Sequence, residues 1–216
     1  MIALAHCRLY AFVDTGYLRG RSPVEVARQL CMGGADLIQL RAKGVAVEQV
    51  RRLAEQLLPV TNAAGVGLVI NDHLDIARAI GAPICHLGQE DFFGTGKTLL
   101  SQLRPASEPL LIGLSSHGPQ EAQRALVAGA DYLAVGPVYP TATKPTTRPV
   151  TLEYVRWAAA HVAIPWFAIG GINWDNLDAV LAAGARRICV VSAILNADNV
   201  AGACQKFKDR LRSAPL

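Results

Sequence analysis

The sequence lacks several patterns that mark other classes of protein. Its five cysteines form no Cys-x-x-Cys pair, so neither a disulfide framework nor a structural zinc site is indicated. No apolar run approaches the ~18 residues that a membrane span needs, and no charged-then-apolar leader comes before the first strand-like run. The net charge is only +4 and the basic residues are scattered, which argues against nucleic acid. We expect a cytoplasmic protein with small-molecule ligands and no membrane or nucleic-acid partner.

Two enzyme fingerprints are also absent. A dinucleotide-binding loop would place Gly-x-Gly-x-x-Gly after the first strand, but the chain reads Asp14-Thr15-Gly16-Tyr17 there. No Ser-His-Asp set is evident, so covalent hydrolase chemistry is not expected. The composition is 51% hydrophobic and 18% charged, which favours one compact globular domain over residues 1–216.

Short strand-like runs alternate with longer amphipathic segments along the whole chain. The eight expected strands are residues 9–13, 37–40, 67–70, 84–87, 110–114, 132–135, 166–169 and 188–191. Several are continuously apolar, as expected for strands that helices cover, and the residues between them recur at helical spacing, as in Val50, Leu53 and Leu57. Eight such units predict a single-domain (β/α)8 TIM barrel. An open doubly wound sheet is the alternative.

In such a barrel the active site forms at the carboxyl ends of the strands. The second strand ends in Gln39, Arg41 and Lys43, which strand alternation directs to one side. Asp72 and Asp91 follow the third and fourth strands, and carboxylates beside a phosphate site favour Mg²⁺.

Hydroxyls and glycines follow the later strands. Ser115 ends the fifth strand, and Thr141, Thr143 and Lys144 follow the sixth. Thr hydroxyls and a Lys ammonium suit a phosphate or diphosphate. Gly170-Gly171 after the seventh strand and Ser192 after the eighth add two further polar or glycine-rich turns.

Each of these residues also has a structural explanation. A single Arg at a strand end is more often a surface group, and the alternative role of Asn71-Asp72 is to cap the helix that begins near His73. His73, His86 and His117 are each interpreted as hydrogen-bond anchors rather than proton-transfer groups. The functional interpretation is favoured because all of the polar residues follow successive strands at one end of the barrel.

Taken together, short motifs at these strand ends resemble a known family. The motifs are Gln39-Leu40-Arg41-x-Lys43, Asn71-Asp72, His86-Leu87-Gly88-Gln89-x-Asp91, Gly113-x-Ser115-x-His117, Gly136-Pro137-x-x-x-Thr141-x-Thr143-Lys144-Pro145, Ile169-Gly170-Gly171-Ile172 and Val191-Ser192-Ala193-Ile194. In this order they resemble the thiamine phosphate synthase family. The resemblance implies a transferase that joins a hydroxymethylpyrimidine diphosphate to a thiazole phosphate after diphosphate has left.

The resemblance also implies a role for each motif residue. It assigns the pyrimidine diphosphate to Gln39, Arg41, Lys43, Asn71, Ser115 and Lys144, the thiazole phosphate to Thr141, Thr143, Gly171, Val191 and Ser192, and Mg²⁺ to Asp72 and Asp91. Arg41, Lys43, Ser115 and Lys144 are the expected catalytic residues.

Two other functions remain open at this point. A thiazole tautomerase of the same superfamily needs no diphosphate, and that branch tends to lose the Thr-x-Thr-Lys element and the paired aspartates. A sensor would bind thiazole phosphate without turnover. This chain keeps Thr143, Lys144, Asp72 and Asp91, which favours the synthase. The sequence leaves the oligomeric state open, a homo-oligomer included.

Overall fold

A computed structural model describes residues 2–141 and 148–213, and in that part of the chain strands and helices alternate. The strands are β1 (Leu9–Asp14), β2 (Leu37–Arg41), β3 (Gly67–Asn71), β4 (Ile84–Leu87), β5 (Leu111–Ser116), β6 (Tyr132–Val135), β7 (Trp166–Ala168) and β8 (Ile188–Cys189). The helices are α1 (Pro23–Met32), α2 (Val47–Ala63), α3 (Leu74–Ile80), α4 (Gln89–Phe93), α5 (Pro119–Val127), α6 (Thr151–His161), α7 (Leu177–Ala182), α8 (Ser192–Leu195) and α9 (Val200–Arg212).

The strands form one closed parallel barrel. Each strand pairs with the next in chain order, and β8 pairs with β1, where Leu9 lies opposite Ile188 and Tyr10 opposite Cys189. The predicted (β/α)8 TIM barrel is therefore confirmed and the open sheet is wrong. The eighth strand is shorter than expected, because the backbone turns at Val191 (ψ −87°) directly into α8.

The strands divide the core into two compartments. Tyr10 and Phe12 of β1 point into the barrel and pack with Phe167. Their neighbours Leu9 and Ala11 point outward and pack under the helices. Every residue of β1 is buried, so both faces of the strand are covered, as expected for a parallel sheet inside a helical shell.

Aspartate side chains just before two of the strands fix the register of those strands at the amino end of the barrel. Asp36, which comes just before β2, accepts hydrogen bonds from the backbone N–H groups of Arg8 (2.8 Å) and Leu9 (2.9 Å). Asp131, just before β6, accepts one from Ile112 of β5 at 2.7 Å. Each of these carboxylates joins one strand to the preceding strand at the amino end of the barrel. The loops at the opposite, carboxyl end carry the candidate site.

None of the helices in the described part of the chain is both long and apolar enough to cross a bilayer.

Candidate active site

A cavity opens at the carboxyl ends of the strands and collects most of the residues predicted to bind ligands. The predicted residues that line it are Gln39, Arg41, Asn71, Ser115, Thr141, Gly171, Val191 and Ser192. Lys43, Asp72 and Asp91 do not line the cavity. Asn71, which does line it, donates to Asp72, and Asp72 in turn contacts Lys43. Thr143 and Lys144 lie outside the described residues. The structure therefore brings together side chains from strands far apart in the sequence.

Arg41 is held at the cavity wall by a carboxylate that the sequence analysis missed. Its Nη1 lies 2.8 Å from Oδ2 of Asp14, the last residue of β1. The other carboxylate oxygen of Asp14 accepts a hydrogen bond from the Gly16 N–H at 2.9 Å. Asp14 is only 1% exposed. A charged residue at the end of an otherwise apolar strand was the available signal, and the buried ion pair gives Arg41 a defined orientation.

Asp72 receives two donors at the end of β3. Asn71 Nδ2 donates to its Oδ2 at 2.6 Å, and the Lys43 ammonium forms a salt bridge with the same oxygen. Neither Asn71 nor Asp72 caps a helix, because α3 has His73 as its N-cap and no side-chain cap bond. The structural explanation by capping is therefore wrong for this pair.

Asp91 brings a second carboxylate to Asp72. It lies in the first turn of α4, where its Oδ2 accepts a hydrogen bond from the Gly88 N–H at 3.2 Å. Asp91 therefore lies close enough to Asp72 for the two carboxyl groups to interact electrostatically. Burial and the negative charge of Asp72 raise the pKa of Asp91, and the nearby Lys43 opposes that shift.

The donor set fits the predicted magnesium ion. In residues 2–141 and 148–213 no group of three or more His, Cys, Asp or Glu side chains is arranged to hold a metal. Mg²⁺ is usually bound through one or two carboxylates together with substrate phosphates and water. Two carboxylates whose charges repel each other are therefore a suitable protein contribution, with the remaining ligands expected from a phosphorylated substrate.

A chain of hydrogen bonds crosses the barrel interior beneath the cavity. Gln39 Nε2 donates to the Tyr10 hydroxyl at 2.6 Å, and the Tyr10 and Tyr132 hydroxyls lie 3.2 Å apart. The Tyr132 hydroxyl is 3.1 Å from Nδ1 of His86, whose Nε2 is 3.0 Å from the Ser115 hydroxyl. Neither tyrosine was predicted from the sequence, because an aromatic residue in an apolar strand usually indicates core packing.

His117 is engaged in a local pair. Its Nδ1 and its backbone N–H both lie 2.8 Å from the carboxylate of Glu121, in the first turn of α5. The ring also borders the cavity. This agrees with the interpretation of His117 as a hydrogen-bond anchor.

The loops after β6, β7 and β8 form the opposite side of the cavity. Thr141, Gly171 and Ser192 also line an adjoining depression at the rim. Gly171 has a φ of 66°, and a Cβ there would lie 2.6 Å from the Pro140 carbonyl oxygen. Only glycine allows this close approach of the two loops. The Asn176 side chain donates to the Gly171 carbonyl at 2.9 Å and holds the turn in place.

The closed parallel barrel, with cations, hydroxyls and carboxylates at the carboxyl ends of its strands, defines a TIM-barrel enzyme with a polar site at that end. The family model described as thiamine monophosphate synthase matches residues 9–194. The chain belongs to the thiamine monophosphate synthase family, and the expected class of enzyme, a transferase, is confirmed.

Individual relatives agree with this assignment. The chain is 45% identical over 189 residues to a thiamine-phosphate synthase of Gloeobacter violaceus, which covers 87% of this chain but only 54% of that longer protein. It is 39% identical to the thiamine-phosphate synthase of Chloroflexus aurantiacus, over 96% of this chain and 95% of the relative. The solved structure of thiamine phosphate pyrophosphorylase from Pyrococcus furiosus superposes with a TM-score of 0.84 at 32% identity, covering 96% of each chain.

Proposed function

We propose that the protein joins 4-amino-2-methyl-5-(diphosphooxymethyl)pyrimidine to a thiazole phosphate and releases thiamine phosphate and diphosphate. The observation that carries this proposal is the meeting of Asp72, Asp91 and Lys43 beside a cavity lined by Arg41 and Ser115. A leaving diphosphate needs cations and a metal-binding pair at one place, whereas an isomerase has no use for them.

The pyrimidine diphosphate is assigned to the β2, β3 and β5 side of the cavity. Arg41, oriented by Asp14, and the Asn71 and Ser115 side chains supply donors to the phosphate oxygens. Lys43, at the edge, adds a second positive charge. Lys144 completes this set by family resemblance. Stabilising the negative charge that develops on the departing diphosphate is the main contribution of such groups to the rate.

Asp72 and Asp91 are proposed to hold Mg²⁺, which supplies further neutralisation of the diphosphate when it is bound. Lys43 contacts Asp72, so its positive charge lies at the proposed metal site. The carboxylates orient Lys43, and Lys43 in turn reduces their mutual repulsion.

The thiazole phosphate is assigned to the opposite side of the cavity. Thr141, Val191 and Ser192 line this side together with the Gly171 turn, and Thr143 joins them by family resemblance. In this arrangement the two substrates bind against opposite walls of the cavity. The C–O bond to diphosphate breaks first, and the thiazole nitrogen lone pair then forms the new C–N bond.

This reaction needs no protein nucleophile, and proximity of the two bound substrates is a major part of the catalysis. Apolar side chains of the barrel interior line the floor of the cavity, among them Phe12 and Ile169. They limit the access of water to the pyrimidine cation, which water would otherwise capture.

The proposed activity is tested by mixing the purified protein with both substrates and Mg²⁺ and following diphosphate and thiamine phosphate. We expect product that disappears with EDTA, and we expect Asp72→Asn to lower kcat by about 100-fold or more. Asp209→Asn, at an exposed helical ion pair, is the matched control and should retain the wild-type rate. Folded protein that binds thiazole phosphate without forming product would instead favour a tautomerase or a sensor.

We also propose that the protein acts in the cytoplasm. All five cysteines are free thiols, as is usual in a reducing compartment. Fractionation of cells that express the full chain tests this proposal.

A further inference from the structure

We propose that Tyr132 is a positioning residue that holds the His86 ring with its hydrogen on Nε2, so that the Ser115 hydroxyl donates its own hydrogen into the cavity. The recipient of that hydrogen, a phosphate oxygen of the pyrimidine substrate, rests on the proposed function. The state of the His86 ring does not depend on it.

The amide nitrogen of Gln39 can only donate a hydrogen bond. Its hydrogen bond to the Tyr10 hydroxyl, at 2.6 Å, uses the oxygen of Tyr10 as acceptor. The Tyr10 hydrogen is then directed to the Tyr132 oxygen, 3.2 Å away. Among the described residues, the side-chain hydrogen bonds of Tyr10 are to Gln39 and Tyr132. Tyr10 is therefore a donor to Tyr132.

The series of hydrogen bonds continues to the opposite wall of the barrel. With its oxygen accepting from Tyr10, Tyr132 directs its hydrogen to Nδ1 of His86 at 3.1 Å. Nδ1 must then carry no hydrogen, which places the hydrogen of a neutral ring on Nε2. His86 Nε2 donates to the Ser115 oxygen at 3.0 Å, and the Ser115 hydrogen remains for an acceptor in the cavity that Ser115 lines.

The opposite direction of these hydrogen bonds leaves one buried donor without an acceptor. If Ser115 donated to His86, the ring would donate to Tyr132 and Tyr132 to Tyr10. The Tyr10 oxygen would then accept from both Gln39 and Tyr132, and its hydrogen would have no side-chain acceptor among the described residues. Tyr10 is 1% exposed, and an unsatisfied buried donor costs about 1–3 kcal/mol. The direction from Gln39 to Ser115 is therefore favoured.

The barrel builds a specific place for the Tyr132 ring. Gly113 lies opposite Tyr132 in the β5–β6 ladder, and a Cβ at Gly113 would lie 2.0 Å from Cζ of Tyr132. The ring therefore rests against the bare backbone of β5, with Phe167 packed edge-on at 5.7 Å. Burial raises the pKa values of both tyrosines well above the ordinary range, so each hydroxyl keeps its one hydrogen.

Tyr132→Phe removes the donor to Nδ1 and keeps the ring. We expect the His86 ring to lose its single tautomer and the KM for the pyrimidine diphosphate to rise about tenfold, the effect of one hydrogen bond. Tyr154→Phe is the matched control, because it deletes another buried phenol hydroxyl beside β5, bonded to Ser116 Oγ at 2.8 Å. It should leave the ring and the KM unchanged.

The deciding measurement is ¹⁵N NMR of the imidazole nitrogens in ligand-free, histidine-labelled protein at neutral pH, with His86 assigned by comparison with His86→Gln. A neutral wild-type ring with hydrogen on Nε2, altered by Tyr132→Phe and not by Tyr154→Phe, supports the proposal. A hydrogen on Nδ1, a doubly protonated ring, an unchanged Tyr132→Phe spectrum or an equal change in Tyr154→Phe overturns it. Absence of product from wild-type protein refutes the proposed function alone. If Tyr132→Phe does not fold, the wild-type spectrum still decides.

Discussion

The Asp14–Arg41 pair allows a test of whether Arg41 must be held in one orientation or whether its positive charge alone is sufficient. Both carboxylate oxygens of Asp14 are in use, Oδ1 by the Gly16 N–H and Oδ2 by Arg41 Nη1. Asp14→Asn preserves the shape but offers one acceptor oxygen and one donor. Either the Gly16 N–H or the Arg41 guanidinium must then face a donor.

The loss follows from the burial of the pair. The side chains of Asp14 and Arg41 are 2% and 15% exposed, so the lost hydrogen bond is charge-assisted and poorly hydrated. Such a bond contributes about 1.5–3 kcal/mol, and we expect the free energy of unfolding to fall by this amount. For a chain of this size the melting temperature falls by about 2–4 °C per kcal/mol. Because Arg41 loses the carboxylate that orients it, kcat/KM should also fall about 10- to 100-fold.

Urea denaturation and steady-state kinetics of Asp14→Asn measure both effects. The control is Glu108→Gln, which removes an ion pair to Arg78 with the same 2.8 Å separation but with side chains 21% and 37% exposed. This variant should lose less than about 1 kcal/mol. The reasoning would be refuted by an Asp14→Asn loss no larger than that of Glu108→Gln, or by unchanged kcat/KM.

Two further predictions concern the barrel interior. Gly113→Ala should lower the free energy of unfolding by about 1–3 kcal/mol, because the added Cβ overpacks against Tyr132. Gly118→Ala is the control and should have little effect, since a Cβ there meets open space. Equal urea midpoints for the two variants would contradict this prediction. Burial raises the pKa of Cys85 to about 12, so a thiol reagent should modify Cys85 only after the protein unfolds. Mass spectrometry measures this modification, and rapid modification of Cys85 in the native protein would contradict the prediction.

The sequence was sufficient for the order and position of the secondary structure. All eight strands lie within a few residues of the predicted ranges, because apolar runs separated by amphipathic segments are a local signal. The end of the barrel that carries the site was also predictable, since polar residues such as Arg41, Asp72 and Ser115 follow the strands rather than precede them.

The direction of individual side chains was not predictable in the same way. In a strand buried on both faces, alternation cannot distinguish the barrel interior from the helical shell, since both are apolar. Nothing in the run Leu9–Asp14 shows that Tyr10 faces inward and Ala11 outward. Strand alternation also predicted that Lys43 shares a face with Gln39. Lys43 instead lies beyond the end of β2, where it forms a salt bridge with Asp72.

What the sequence by itself determined was the set of elements, their order and the chemical types at one end of them, because these depend on neighbours along the chain. Closure of the barrel decided the rest. It placed Tyr10 within hydrogen-bonding distance of Tyr132, 122 positions away, and brought Asp14 to Arg41 across the β1–β2 ladder. Such contacts arise from register and from the curvature of the whole sheet, and no local pattern contains either.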